Sequence, residues 1–207
     1  MTQISSKAAA STLASKEHQV RQGITLSRPA WLYDKGLTPA EKGIALHSYM
    51  QYADFSAAAL HPKQELERLI EQKYLTQEQA AAVDLEKVTL FFQSRLGQRI
   101  LSSARIEKER RFAVEILASE AGYSVQPEHA NTTIILQGAL DCTFIENNKL
   151  HIVDFKTDRV KNINELITDY QLQLQLYQKA MKQVSSYPVG ECWIYSMHKN
   201  QAILVLS

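Results

Sequence analysis

Asp154 and Lys156 stand two residues apart in "HIVDFKTDRV", residues 151–160, behind a run of apolar residues and ahead of Asp158. Side chains alternate along a strand, so Asp154 and Lys156 share one face while Phe155 points to the other, toward the core. Asp141 lies thirteen residues upstream, on a second β-rich run. An isolated D-x-K reads as a surface ion pair. Here the flanks "IILQGAL" and "LHIV" imply two buried strands, and burying three charges costs several kcal/mol each unless a metal or ligand satisfies them. Two carboxylates converging with mostly oxygen ligands suit Mg²⁺ or Mn²⁺. A lysine beside them can orient or deprotonate a water and stabilise charge developing on a phosphate. The metal would act as Lewis acid and as template for in-line attack. The chemistry implied is phosphodiester hydrolysis.

The elements that must position these groups are legible in outline. "LTPAEKGIALHSYMQ" starts a helix, with Thr38 as N-cap, Pro39 at the first helical position and Glu41 completing a capping box. It carries His47 one turn after Gly43. Residues 62–103 read as helical: Pro62 opens one segment, and Thr76 caps "QEQAAAVDLEKVTLFFQSRL", with Leu85, Val88, Phe92 and Leu96 on one apolar stripe. That stripe reads as core and carries no chemistry. From about 107 the period shortens to that of strands in "EKERRFAVEIL", "TTIILQGALDCTFIE" and "KLHIVDFKT", the last two joined by Asn147-Asn148, a hairpin signal. A helix, "INELITDYQLQLQLYQKAMKQ", puts Leu166, Tyr170, Leu174, Tyr177 and Met181 on one face, and two strands around Lys199-Asn200 follow. The expected fold class is mixed α/β (α+β), a central mixed sheet flanked by helices. Residues 1–27 read as a linker or partly ordered segment, "AWLY" at 30–33 as a run docked on the domain, and 28–207 as the domain itself: a helical part over 38–103, a sheet core over 107–207.

These motifs, taken in order, resemble the PD-(D/E)XK nucleases, most closely the nuclease domain of the RecB and AddA (RexA) helicase–nucleases. The resemblance is carried by Gly43 and His47 (G-x-x-x-H), Glu109, "GALD" ending at Asp141, "VDFK" holding Asp154 and Lys156, and Tyr170, Gln173, Leu174 and Tyr177 (Y-x-x-Q-L-x-x-Y). It runs from about residue 28 to the C-terminus. It implies a restriction-endonuclease-like core in which His47, Asp141 and Asp154 ligate the metal with the backbone carbonyl of Phe155. Lys156 is then the catalytic lysine. Glu109 holds a second metal or the attacking water, and Gln173 and Tyr177 line the site and touch the DNA backbone, supported by Tyr170. The proline of the family's pattern is absent, because Ala139-Leu140 precede Asp141. His47 alone would pass for a buried core histidine, and Tyr170 and Tyr177 divide evenly between packing and site.

Composition sets limits on partners. With 23 basic and 22 acidic residues the net charge is +1, low for a protein that captures nucleic acid by bulk electrostatics. No G-x-x-x-x-G-K-[ST] phosphate loop occurs, so ATP would be used only by a motor domain outside this chain. By the resemblance, helicase motor domains lie N-terminal to this segment, a partner of AddB/RexB type assembles with it, and the substrate is mainly single-stranded DNA in break repair and recombination. Two cysteines without CxxC spacing fit a reducing cytoplasm and exclude a four-cysteine zinc or iron–sulfur site within the chain. That disfavours a Cas4-like nuclease, which carries such a cluster. No apolar run is long enough to span a membrane. A free-standing RecB-like nuclease and an inactive nucleic-acid-binding relic are the other readings, the relic disfavoured because both acid and lysine are kept. Lys149, Arg159 and Lys161 could contact phosphates, a solvated loop being the plainer reading. His18, His61, His129, His151 and His198 match no motif.

Overall fold

The computed structural model describes residues 7–10 and 37–207. The 30–33 run lies outside the described residues. The first helix, α1 (Pro39–Tyr52), begins as the sequence requires: Glu41 N–H donates to Thr38 Oγ1, and Thr38 N–H donates to the Glu41 carboxylate at 2.7 Å. Short helices follow: α2 (Phe55–Leu60), α3 (Pro62–Glu71), α4 (Gln77–Ala82), α5 (Leu85–Gln93) and α6 (Arg95–Leu101). The stretch read as one helix from Thr76 is therefore three. Asp84 and Ser94 explain the breaks, because each has extended backbone and its side-chain oxygen accepts an N–H of the next turn, from Lys87 and Gly97 respectively. Asp and Ser compete with the helix for its own donors and so start new segments.

Among the described residues six strands make one mixed sheet: β1 (Lys7–Ala9), β2 (Ile106–Leu117), β3 (Thr133–Glu146), β4 (Lys149–Lys156), β5 (Val189–Ser196) and β6 (Gln201–Leu206). β1 falls where composition suggests a linker; its three residues pair in parallel with Ile135–Gln137 of β3. A single short strand with no alternation of its own leaves little periodic signal. The β3–β4 hairpin turns through Asn147 and Asn148, both at positive φ (51° and 57°), the conformation such two-residue turns demand. Between parallel β4 and β5 runs α7 (Ile163–Val184), capped by Asn162, whose side chain accepts from Asn164 N–H.

The sheet separates two apolar layers. α7 covers one face, where Leu166, Leu174, Tyr177 and Met181 pack on Phe112, Leu136, Leu140, Ile152 and Ile194. The helices α1–α6 cover the other, with Phe91, Phe92, Tyr49 and Phe55 packed on Cys142, Phe144, Val153, Phe155 and Tyr195. Phe91 alone meets the rings of Phe55, Phe92, Phe155 and Tyr195. Burying such a side chain contributes about 1.5–3 kcal/mol.

Strand phase breaks at one point, and the site is built there. Leu140 and Cys142 are two residues apart and fully buried, yet they belong to opposite layers. β2 breaks at the same level: Phe112 packs toward α7, while Lys108 lies over the Phe55 ring of the other layer. Between them is Glu109, with φ +50°, and the flanking pairs Lys108↔Cys142 and Arg110↔Leu140 set it opposite Asp141. A positive φ on a residue with a long side chain is strained, and strain of this kind collects at functional sites. Beyond Cys142↔Val153, β3 leaves β4 and pairs with β1 instead. The two strands therefore part just where Asp141 and Asp154 stand.

Candidate active site

β4 lays Ile152 in the α7 layer and Val153 and Phe155 in the other, so Asp154 and Lys156 face α7, as alternation requires. Asp154 is 2% exposed. Lys156 Nζ lies 2.7 Å from Asp154 Oδ2, a buried ion pair, and apart from this ammonium the oxygen has no hydrogen-bond partner. Asp141 crosses the parting of the strands: its Oδ2 accepts the Phe155 N–H at 2.8 Å, a donor that β3 no longer engages. Phe155 itself is buried against Phe91, at 5.1 Å between rings.

α1 delivers His47, whose Nδ1 lies 3.6 Å from Asp141 Oδ2. Gly43 sets that distance. A Cβ there would stand 2.8 Å from Thr157 Oγ1, so only glycine lets α1 settle on the chain leaving β4. We expect Gly43→Ala to leave stability within about 1 kcal/mol, because overpacking is offset by better helix propensity. Cleavage falls roughly tenfold as His47 is pushed off the carboxylates. Relief by Thr157→Ala in the double variant, measured as cleavage rate, checks this; failure of that relief removes the steric argument.

From α7, Gln173 Oε1 accepts from Lys156 Nζ at 3.2 Å while its Nε2 donates to the Tyr177 hydroxyl at 2.6 Å. The Tyr170 ring centroid is 3.8 Å from Lys156 Nζ, a cation–π contact. Gln173 and Tyr177 are buried and stand behind the lysine. Tyr177 also packs edge-on against Phe112 at 5.8 Å. Glu109 acts on His47, Asp141 and Tyr177 through its charge. Asp158, in the loop past the strand end, acts on His47 through its charge and on Tyr170 through both its charge and a side-chain hydrogen bond. Its place at the next alternate position, together with Thr157 against Gly43, was the available signal that the motif continues past Lys156.

The electrostatics describe a site wanting positive charge. Burial and then the Asp154 carboxylate push Asp141 up to about 8, against the pull of Lys156 and the Phe155 N–H. Burial pulls Lys156 down, but the charges of Asp154 and Asp141 outweigh it and hold the ammonium above its ordinary value. Burial, more than any neighbouring charge, holds His47 below the usual imidazole range, which favours the neutral form that ligates metals. Burial also raises Tyr170 to about 12 and Tyr177 further still. Among the described residues no group of three or more His, Cys, Asp and Glu stands at ready-made ligand spacing; the Lys156 ammonium lies against Asp154 instead. The residues nevertheless fit a hard divalent cation. A buried carboxylate oxygen has no hydrogen-bond partner besides the ammonium, a second carboxylate is pushed up by burial and its neighbour, and the nearby imidazole is pushed toward its neutral form.

The family model for the PD-(D/E)XK nuclease superfamily matches residues 14–204. The chain belongs to that superfamily. Its mixed α/β sheet with flanking helices is the core expected for such nucleases. Similar proteins include three ATP-dependent helicase/nucleases, in each case the A-type polypeptide of the enzyme. That of Clostridium kluyveri is 33% identical over 182 residues, covering 86% of this chain and 15% of that protein. That of Thermoanaerobacter sp. is 36% identical over 165 residues, covering 78% and 13%. That of Geobacillus kaustophilus is 33% identical over 193 residues, covering 87% and 16%. The chain thus spans about 15% of the length of such a relative, and the match is to a nuclease segment like that of the AddA proteins. Among the described residues no helix is long and apolar enough to cross a membrane. Cys142 and Cys192 are free and sit in opposite apolar layers, where burial raises both thiols to about 12.

Proposed function

We propose that this superfamily member is the metal-dependent nuclease part of an AddAB/RexAB-type helicase–nuclease, hydrolysing phosphodiester bonds of single-stranded DNA during break repair and recombination in the cytoplasm. The observation that carries the reading is the meeting of Asp141, Asp154, Lys156 and His47 where β3 and β4 part. His47, Asp141, Asp154 and the Phe155 carbonyl would hold Mg²⁺, with Mn²⁺ as a substitute. When bound, the ion supplies Lewis acidity at the scissile phosphate and a lower pKa for a water. Lys156 orients the attacking water and holds positive charge beside the phosphoryl oxygens. Gln173, through Tyr177, fixes the lysine's reach, and the Tyr170 face packs against an ammonium that the two carboxylates keep charged. Glu109 assists the water or a second ion.

Net charge +1 supports a chain that is fed its strand: ATP-driven motor domains and a partner of AddB/RexB type would bring it DNA. Isolated DNA therefore binds weakly, at micromolar or poorer Kd in physiological salt. The test is cleavage of single-stranded and duplex DNA with Mg²⁺ or Mn²⁺, beside a Lys156→Ala protein. Expected is metal-dependent loss of the single strand by the unmodified chain alone. Equal rates for both proteins, or nanomolar capture of duplex, would falsify the tethered-nuclease reading.

A further inference from the structure

A groove of about 520 Å³ opens beside the site, between the start of α1, the α4–α5 junction, the loop after Lys156 and the β5–β6 turn. Gly43, Thr157 and Asp158 belong to its wall, so it adjoins the helix that carries His47 and the chain that leaves β4 after Lys156. Its apolar floor includes Leu46 and Met197, and its rim carries Lys42, Lys87, Arg159 and His198. The three cations, Lys42, Lys87 and Arg159, come from three different elements, with His198 on a fourth beside them. They are close enough that His198 feels Lys199, Lys87 and Arg159 as like charges. Two acids share the lining. Asp84 is spent capping α5, accepting the Lys87 N–H at 3.3 Å, with its other oxygen 3.9 Å from Lys87 Nζ. Asp158 is turned to the catalytic side, where it bears on His47 and Tyr170.

We infer that this groove is a second phosphate subsite: it takes the sugar–phosphate backbone of the nucleotide next to the cleaved bond, with Lys87 and Arg159 as the anion clamp. The inference rests on the nuclease reading for what lies next door, although the groove's preference for a polyanionic strand stands on its own charges. A wall of apolar and basic groups suits a chain whose sugars are apolar-faced and whose phosphates recur.

Binding of a labelled single-stranded oligonucleotide, read by anisotropy at low salt without metal, keeps the groove separate from cleavage. Lys87→Ala/Arg159→Ala weakens binding about tenfold and flattens the slope of log K against log salt by about 0.7 per side chain removed. Asp84→Asn keeps the helix cap, takes away a negative charge and tightens binding, a gain that misfolding does not produce. With Mg²⁺, the double variant raises KM for the oligonucleotide but hydrolyses bis(p-nitrophenyl) phosphate, which reaches only the carboxylates, at the unmodified rate. Unchanged affinity and salt slope in the double variant overturn the subsite, as does equal loss on the small diester. If the unmodified chain cleaves nothing while the binding changes appear, the groove stands and the nuclease reading falls.

Discussion

Asp154→Asn is expected to leave the fold intact and to slow metal-dependent cleavage of single-stranded DNA by about 10³-fold or more. The substitution is isosteric in a position 2% exposed, so no cavity forms and the layers around β4 keep their packing. What disappears is a carboxylate oxygen whose one close partner is the Lys156 ammonium. Charge stabilisation by a bound divalent ion is worth several kcal/mol in the transition state, and each 1.36 kcal/mol is tenfold in rate. Single-turnover rates at saturating Mg²⁺ give the number, and calorimetry with Mn²⁺ should show weakened binding in parallel. A variant that cleaves near the unmodified rate, with contaminating nuclease excluded, places the reaction somewhere other than the β3–β4 parting.

The parts of this architecture that recur in the chain were open to reading from residue order. Thr38 and Glu41 cap α1 as their types require, the two asparagines make the hairpin turn, and alternation alone puts Asp154 and Lys156 on the face opposite Phe155. The α7 stripe is likewise where a period of three and four places it. What residue order hides is any feature made by two segments at once. Glu109 and Asp141 shift phase together because β2 and β3 are in register, and neither strand alone records the kink. The break of the helical region at Asp84 and Ser94 depends on caps that look, in sequence, like ordinary polar positions within a stripe. β1 is too short to carry a period and is a strand only because β3 offers it a free edge after leaving β4. The groove is harder still, since Lys42, Lys87, Arg159 and His198 are far apart in the chain and each alone is a solvated side chain.

Lys156→Met should cost the metal-free protein about 3 kcal/mol, the low end of what breaking a buried ion pair costs, or roughly 6–12 °C in Tm for a domain of this size. The thioether chain keeps the volume of the lysine's apolar stem, so the loss reports charge, the cation–π contact with Tyr170 included. Without the ammonium, Asp154 and Asp141 are buried beside each other with no cation between them. The loss stays near the lower bound because Asp141, already pushed up to about 8 by burial and by Asp154, gives up its charge more readily than an ordinary carboxylate. Mn²⁺ should then raise the Tm of Lys156→Met by more than it raises that of the unmodified chain, because the ion no longer competes with an ammonium 2.7 Å from Asp154. Cleavage should stay lost in both metals, since the group that manages the water is gone. This separates two duties of one side chain: counter-charge to the carboxylates, which the ion can take over, and proton handling at the phosphate, which it cannot. Equal Mn²⁺ shifts in both proteins, or a metal-free variant as stable as the parent, would show that Lys156 does not neutralise the carboxylates and that their charge is balanced elsewhere in the fold.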